Sequence, residues 1–229
     1  MIETQISWTP CFRIIPSRFP PVALFEKVTD PADLAAVFQL ESMTNPRIRD
    51  EVGALELIPP DERVSGPGAS FVMAAFTHVN PLGSRFSDGS YGVYYAAFDL
   101  DTAIAETIYH QVKHLTYTRE PPQDLDMRVL MADLNAKLVD LHGAGQEDIL
   151  HPLNYGPAQT FAIEVRSSGH DGLVYPSVRK NGGDCAAAFR PKCISNCRQS
   201  KHLSYPWDGV TIRQELITEK SRLDLTGGT

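Results

Sequence analysis

Proline punctuation and the spacing of apolar positions divide the chain into alternating structured and loop segments. Over "FRIIPSRFPPVALFEKV" the apolar residues are interrupted by prolines that forbid a long helix, so the first thirty residues read as an extended lead-in. Asp30-Pro31 then opens a helix, with Asp at the N-cap and Pro at the first helical position. Its apolar positions Leu34, Val37, Phe38 and Leu40 lie largely on one face, and Pro46 ends it by pushing Asn45 out of helical backbone. "IPPDERVSGPGAS" and "NPLGSRFSDGS" are loop chemistry. Between them "FVMAAFTHV" is apolar throughout, and its periodicity fits a short buried helix or a strand. "YGVYYAAF" is aromatic-rich and predicts a strand, with Tyr91, Val93 and Tyr95 on one face and Tyr94 on the other. Asp101 is the expected cap of the helix "TAIAETIYHQVKHL", whose buried stripe would be Ile104, Ile108, Val112 and Leu115.

The second half repeats this alternation. "MRVLMADLNAKLVDL" predicts a strand running into a turn. "GPAQTFAIEVRSSG" predicts a helix, with Pro157 in its first turn and Gly169 past its end. "DGLVYPSVR" and "DCAAAFRP" read as two strands joined by the turn "KNGG", and the tail from "HLSYPWDGV" onward adds a last strand or two. Dispersed strands with intervening helices, no internal repeat and no linker predict one α+β domain, not a doubly wound parallel sheet.

Composition narrows the function classes. The 229 residues are 42% hydrophobic and 21% charged, enough for one ordinary globular core. The formal net charge of -7, with Lys and Arg scattered, disfavours a phosphate-neutralising nucleic-acid face but leaves room for a local basic pocket that takes a small anion. "MIETQISWTP" has no basic segment followed by an apolar one, and no apolar run is long enough to span a membrane, so a cytoplasmic address is expected. Cys185, Cys193, Cys197 and His202 form C-x7-C-x3-C-x4-H. That spacing fits no common zinc knuckle and lacks a second CxxC pair, so buried or free thiols, with no metal, are expected.

The candidate chemistry concentrates in "GSRFSDGSYGVYYAAFDLDTAIAETIYH". Arg85 stands among Gly83, Ser84, Ser87, Gly89 and Ser90, where glycines let backbone approach a ligand and a planar guanidinium can fork onto a phosphate. Tyr95 could stack on a flat ring. Glu106 points away from the apolar stripe of its helix, as a carboxylate at the mouth of a cleft would. There it could bind a ribose hydroxyl and stabilise an oxocarbenium-like transition state. Each also has an ordinary explanation: a surface arginine, a core aromatic, and a solvated glutamate helped by the helix dipole and by His110 one turn on. Together they make the inventory of a pocket that holds pyrophosphate, stacks a base and attacks a ribosidic bond.

"GSRFSDGSYGVYYAAFDLDTAIAE" followed by "DGLVYPSVR" resembles the RES domain, named for its Arg, Glu and Ser. The likeness covers roughly residues 75 to 200, and "FRIIPSRFPPVALFE" and "TNPR" resemble the longer members. The chain is accordingly expected to be a single RES-type domain with a core of about 75–200, an N-terminal helical extension over 1–74 and a C-terminal tail over 201–229. The resemblance implies an ADP-ribosyltransferase-like fold and the toxin half of a bacterial RES–Xre toxin–antitoxin pair. It implies NAD as substrate, cleaved by phosphorolysis or hydrolysis, with inorganic phosphate a possible co-substrate and no bound cofactor. Transfer of ADP-ribose to a protein, or an inactive NAD-binding module, are the alternatives. An Xre-family antitoxin is the implied partner, with no direct nucleic-acid or membrane contact and self-association possible. Matched by position, Arg85, Glu106 and Ser177 would be catalytic, and Arg13 and Tyr95 would join them in binding NAD. Ser87 stands where many members have Asn, and "KNGGDCAAAF" is only loosely like the family segment, which leaves Asn181 outside the proposed site.

Overall fold

The computed structural model describes residues 1–17, 24–27, 36–39 and 52–220. A long strand, β1 (Glu3–Pro16), begins the chain, and a helical turn follows at Leu24–Lys27. Residues 36–39 are helical, and Val37 and Phe38 pack on the core. The expected opening of that helix at Asp30-Pro31, its apolar Leu34 and Leu40, and its end at Pro46 lie outside the described residues. Two 3-10 turns, Leu55–Leu57 and Pro60–Glu62, interrupt the loop before helix α1 (Ala69–Thr77). The apolar run "FVMAAFTHV" is thus a helix. It buries Val72, Met73 and Phe76, and an all-round apolar helix is stable only inside a core.

Strand β2 (Tyr94–Ala97) is shorter than its aromatic run suggests, because Tyr91, Gly92 and Val93 approach it as irregular backbone. Gly92 passes so close to α1 that a Cβ would sit 2.3 Å from the Cα of Phe76. The side chains still alternate as expected: Tyr94 and Ala96 enter one core cluster, and Tyr91, Val93 and Ala97 enter another. Helix α2 (Leu100–Thr118) starts two residues earlier than expected, and its cap is Asp99, not Asp101. The Asp99 carboxylate accepts from the Thr102 backbone N–H at 2.8 Å, while the chain is still extended at Asp99. The stripe is as expected: Ile104 and Leu115 are buried, with Ile108 and Val112 packed beside them.

Strand β3 (Gln123–Asp140) runs 18 residues and organises the sheet. Helix α3 (Gly156–Ser167) has Pro157 in its first turn and Gly169 just beyond, at φ +87. The hairpin β4 (Gly172–Pro176) and β5 (Asp184–Ala188) turns where "KNGG" predicts, pairing Pro176 with Asp184. The tail supplies β6 (Ile194–Trp207) and β7 (Thr218–Lys220). The strand order is β1-β2-β5-β4-β3-β6-β7, and β1 pairs also with β3. The first five strands therefore close on themselves, through a long antiparallel β1–β3 ladder and the single pair Phe12↔Ala97 between β1 and β2. The parallel β3–β4 pairing makes the sheet mixed, which with the segregated helices α1, α2 and α3 gives the expected α+β class. Among the described residues no helix is long and apolar enough to cross a membrane.

Candidate functional site

The site begins with a loop that cannot move freely. The Ser84 backbone N–H donates to the Ser87 carbonyl at 2.8 Å, making a tight turn with Arg85 and Phe86 at its tip. Gln159 of α3 braces the turn from behind, its amide donating to the carbonyls of Ser84 (2.9 Å) and Ser87 (3.2 Å). Phe86 is fully buried beneath it, edge-on to Tyr175. Arg85 is therefore held at a fixed height, 7% exposed, with Nη1 donating to the His151 carbonyl at 2.8 Å and its plane 4.7 Å from the Tyr155 ring centre.

Tyr95 ties this loop to the sheet. Its hydroxyl accepts from the Phe86 backbone N–H (2.9 Å) and shares a hydrogen bond with Ser84 Oγ (2.8 Å). Burial pushes the phenol up to about 12, so it stays protonated. The Tyr95 carbonyl takes Nη1 of Arg13 at 3.0 Å, and the Arg13 guanidinium lies 4.8 Å above the Tyr94 ring. Burial draws Arg13 below the usual arginine range, yet guanidinium remains charged at any ordinary pH. Among the described residues neither Arg13 nor Arg85 has a carboxylate partner.

Glu106 projects from the second turn of α2 towards the start of the β4–β5 turn. Ser177 Oγ donates to Glu106 Oε1 at 2.6 Å, and the Cys185 thiol lies 3.9 Å from the same oxygen. Burial first, then the Glu106 charge, raise Cys185 above its ordinary range, so it faces the carboxylate as a thiol. Ser177 is fixed in turn, because the backbone N–H groups of Arg179 (3.1 Å) and Lys180 (3.0 Å) both donate to its Oγ. The carboxylate is therefore oriented by a hydroxyl that is itself fully bonded.

A cavity of about 290 Å³ gathers these parts. Arg13, Arg85, Tyr95, Glu106 and Cys185 line it, and Glu106 is the one acid among its described lining residues. Ser177 reaches it through Glu106. The structure thus brings together all five residues singled out from the sequence. It adds some that sequence reasoning did not assign to the site. His110 lines the same cavity, and desolvation there, with the charges of Arg179, Arg85 and Lys113, pulls it down to about 4. Glu106, His110 and Lys113 fall at helical spacing, which is the signal that could have found them. Arg179 stacks 3.3 Å from the Tyr109 ring centre and donates to the Pro152 carbonyl. Its position in "YPSVR", two residues after Ser177, was the available hint. Cys185, Cys193 and Cys197 make separate contacts, to Glu106, the Asp171 carbonyl and Tyr94, and no metal-holding group of His, Cys, Asp or Glu occurs among the described residues. His202 instead hydrogen-bonds Ser17 and Gln199.

Residues 61–208 match the family model of the RES domain. A protein of Sinorhizobium fredii, described as uncharacterized protein y4oC, is 30% identical over 202 residues, which cover 88% of this chain and 84% of that one. A chain in the crystal structure of the M. tuberculosis MbcT-MbcA toxin-antitoxin complex is similar at a TM-score of 0.48 and 10% identity, covering 96% of this chain and 87% of that one.

Proposed function

The chain belongs to the RES domain family, and from that premise we propose that it cleaves the nicotinamide–ribose bond of NAD as the toxin of an RES–Xre-type toxin–antitoxin pair, acting in the cytoplasm of its host. The observation that carries this reading is the Ser177–Glu106 hydrogen bond of 2.6 Å facing a cleft that also holds Arg13 and Arg85, neither with an acid partner among the described residues. NAD presents a diphosphate for the cations and, one ribose away, a bond whose cleavage builds positive charge for the carboxylate.

In this mechanism Arg85 and Arg13 bind the diphosphate, and Tyr95 offers its ring to the nicotinamide. The C1″–N bond breaks with its electron pair going to the pyridinium nitrogen, so nicotinamide leaves neutral. Positive charge develops on the ribose C1″ and ring oxygen, close to Glu106. Because Ser177 and Cys185 hold the carboxylate in place beforehand, it need not reorganise as that charge appears. An oxygen of inorganic phosphate or of water then bonds to C1″. Phosphate gives ADP-ribose-1″-phosphate, and water gives ADP-ribose with loss of a proton.

Purified protein incubated with NAD, with and without phosphate, tests this through free nicotinamide and the mass of the ribosyl product. Glu106→Gln is expected to lower the rate of nicotinamide release by about 10²–10³-fold. Arg85→Ala is expected to lose affinity as well as rate, since it removes a cation from both ground and transition states. A labelled protein band in place of free product would move the reading to ADP-ribosyl transfer. A folded wild-type protein that releases no nicotinamide, even with candidate acceptor proteins present, would overturn it. Co-expression with an Xre-type antitoxin should then restore both host growth and NAD level.

A further inference from the structure

We propose that Arg179 is a positioning residue: its side chain clamps the β4–β5 turn against α2 and against the segment before α3, and so keeps Ser177 on Glu106. Its effect on rate rests on the NAD reading above; the clamp itself rests on geometry alone.

Arg179 acts through its neighbours, since it is not among the residues that line the cavity holding Glu106. Its backbone N–H is one of the two that donate to Ser177 Oγ, at 3.1 Å. Fixing the side chain of Arg179 therefore fixes the hydroxyl that orients the carboxylate. Two other elements do the fixing. The guanidinium carbon lies 3.3 Å from the centre of the Tyr109 ring, and Nη2 donates to the Pro152 carbonyl. Tyr109 stands three residues after Glu106 on α2, on the same side of the helix. The side chain thus ties the turn that carries Ser177 to the helix that carries Glu106.

Pro152 brings in the other half of the site. The preceding carbonyl, that of His151, accepts from Arg85 Nη1 at 2.8 Å, so adjacent carbonyls of one segment take the two guanidiniums. Tyr155, at the start of α3, lies 4.7 Å from Arg85 and feels the charge of Arg179 as well. A run of contacts thus joins Arg85 to Glu106 through His151, Pro152, Arg179 and Ser177. The distance between a cation that binds the diphosphate and a carboxylate beside the reacting carbon is what a small displacement would spoil.

A general contribution to stability is the competing account, and the chemistry speaks against it. Among the described residues Arg179 has no carboxylate partner, and its Nε is buried without a hydrogen bond. It also shares its surroundings with like charges, since Arg179, Arg85 and Lys113 all act on His110. A neutral side chain would avoid both costs. Only a planar guanidinium meets the Tyr109 face and the Pro152 carbonyl together.

Arg179→Met keeps the length of the side chain and removes its plane, donors and charge. With thermal unfolding recorded to confirm a folded protein, it is expected to lower kcat for nicotinamide release from NAD by about tenfold, with little change in KM. Tyr109→Leu should do the same, and Tyr109→Phe, which keeps the ring face, should not. Arg179→Lys returns the charge alone and should stay slow. In a Ser177→Ala background Arg179→Met should cost little more, because it acts through that hydroxyl. Amide hydrogen exchange over residues 177–183 reads the clamp without substrate, since the Ser177, Arg179, Lys180 and Gly183 N–H groups are all bonded within the turn. Exchange there is expected to be about tenfold faster in Arg179→Met and Tyr109→Leu than in wild type and Tyr109→Phe. Unchanged exchange, full rescue by Arg179→Lys, or a raised KM at wild-type kcat would each overturn the proposal and leave NAD cleavage standing. Should wild type release no nicotinamide, the NAD reading fails instead, and exchange decides the clamp by itself. If Arg179→Met does not fold, the contrast between Tyr109→Leu and Tyr109→Phe carries the same comparison, and equal exchange in those two counts against the clamp.

Discussion

The Ser177 hydroxyl uses all its bonding capacity, accepting from two backbone N–H groups and donating to Glu106. If its role is to hold the carboxylate, Ser177→Ala should lower kcat by about 10–100-fold, the worth of a hydrogen bond to a charged group, with a smaller effect on KM. In a Glu106→Gln background the same change should then cost little more, because the two residues act as a unit. Single-turnover nicotinamide release in the four proteins measures the coupling. Fully additive losses would mean that Ser177 meets the substrate on its own account. At this scale the sequence told part of the story. Arg85, Tyr95 and Glu106 lie within one short stretch and could be read as a set. Ser177 lies 71 positions beyond Glu106, and no local pattern links them; only the resemblance did so. His110 and Arg179 were legible as neighbours of chosen residues but not as members of the site, because helical phase and turn geometry decide which way they face.

The β4–β5 turn and the start of α2 form one latch. The Lys180 backbone N–H donates to Ser177 Oγ, while its Nζ reaches the Asp99 carboxylate at 3.0 Å. Asp99 meanwhile caps α2, the helix that carries Glu106. Gly183 completes the join, since a Cβ there would lie 2.4 Å from Thr102 Oγ1. Asp99→Ala should cost about 1 kcal/mol through the lost cap, or roughly 2–4 °C in Tm. Lys180→Met leaves the cap intact, so it should lower kcat several-fold with little change in Tm, and Lys180→Arg should restore most of the rate. Loss of Tm without loss of rate in Lys180→Met would refute a positioning role. The choice of Asp101 over Asp99 shows why element ends resist sequence reading. Both aspartates precede a good helix and both lie within reach of Lys180, and what selects Asp99 is its extended backbone and the bond it accepts from the Thr102 N–H. Likewise "FVMAAFTHV" became a helix because one face packs into the core through Val72, Met73 and Phe76 while Phe71, Ala74 and Ala75 line a cavity, information absent from the run itself. Elements with their own signals, Pro157 and Gly169 around α3 or "KNGG" between β4 and β5, were read correctly for that reason.

Closure of the five-strand ring was not legible, because it depends on register between residues far apart, such as Glu3 with Val139. It places β1, and hence Arg13, beside β2, which carries Tyr95. One contact across the ring sets an imidazole between two carboxylates. His142, just past β3, faces Asp140 Oδ1 at 2.6 Å with Nδ1 and Asp184 Oδ1 at 2.9 Å with Nε2, joining the end of β3 to the start of β5. Partial desolvation opposes the charged ring, but the two carboxylates outweigh it and raise His142 above 6.5. A raised folded value means the stabilisation is fully present below 6.5 and is lost as pH rises through the folded value. His110 works in the other direction and at lower pH, its neutral form losing ground as pH falls from 6.5 towards about 4. With a side chain 39% exposed, the His142 clasp is worth no more than about 1 kcal/mol, so wild type should lose up to about 4 °C more in Tm than His142→Gln as pH rises from below 6.5 through the raised folded value. Calorimetric scans of the two proteins across that range give the difference directly, and parallel curves would show that the imidazole bridges the strands without its charge contributing. Since Asp184 is followed by Cys185 and preceded by Gly183, whose carbonyl accepts the Ser177 N–H at 2.7 Å, the clasp lies one residue from the latch that sets the Ser177–Glu106 bond. Nicotinamide release by His142→Gln should therefore match wild type at high pH and fall below it only where the wild-type ring is charged.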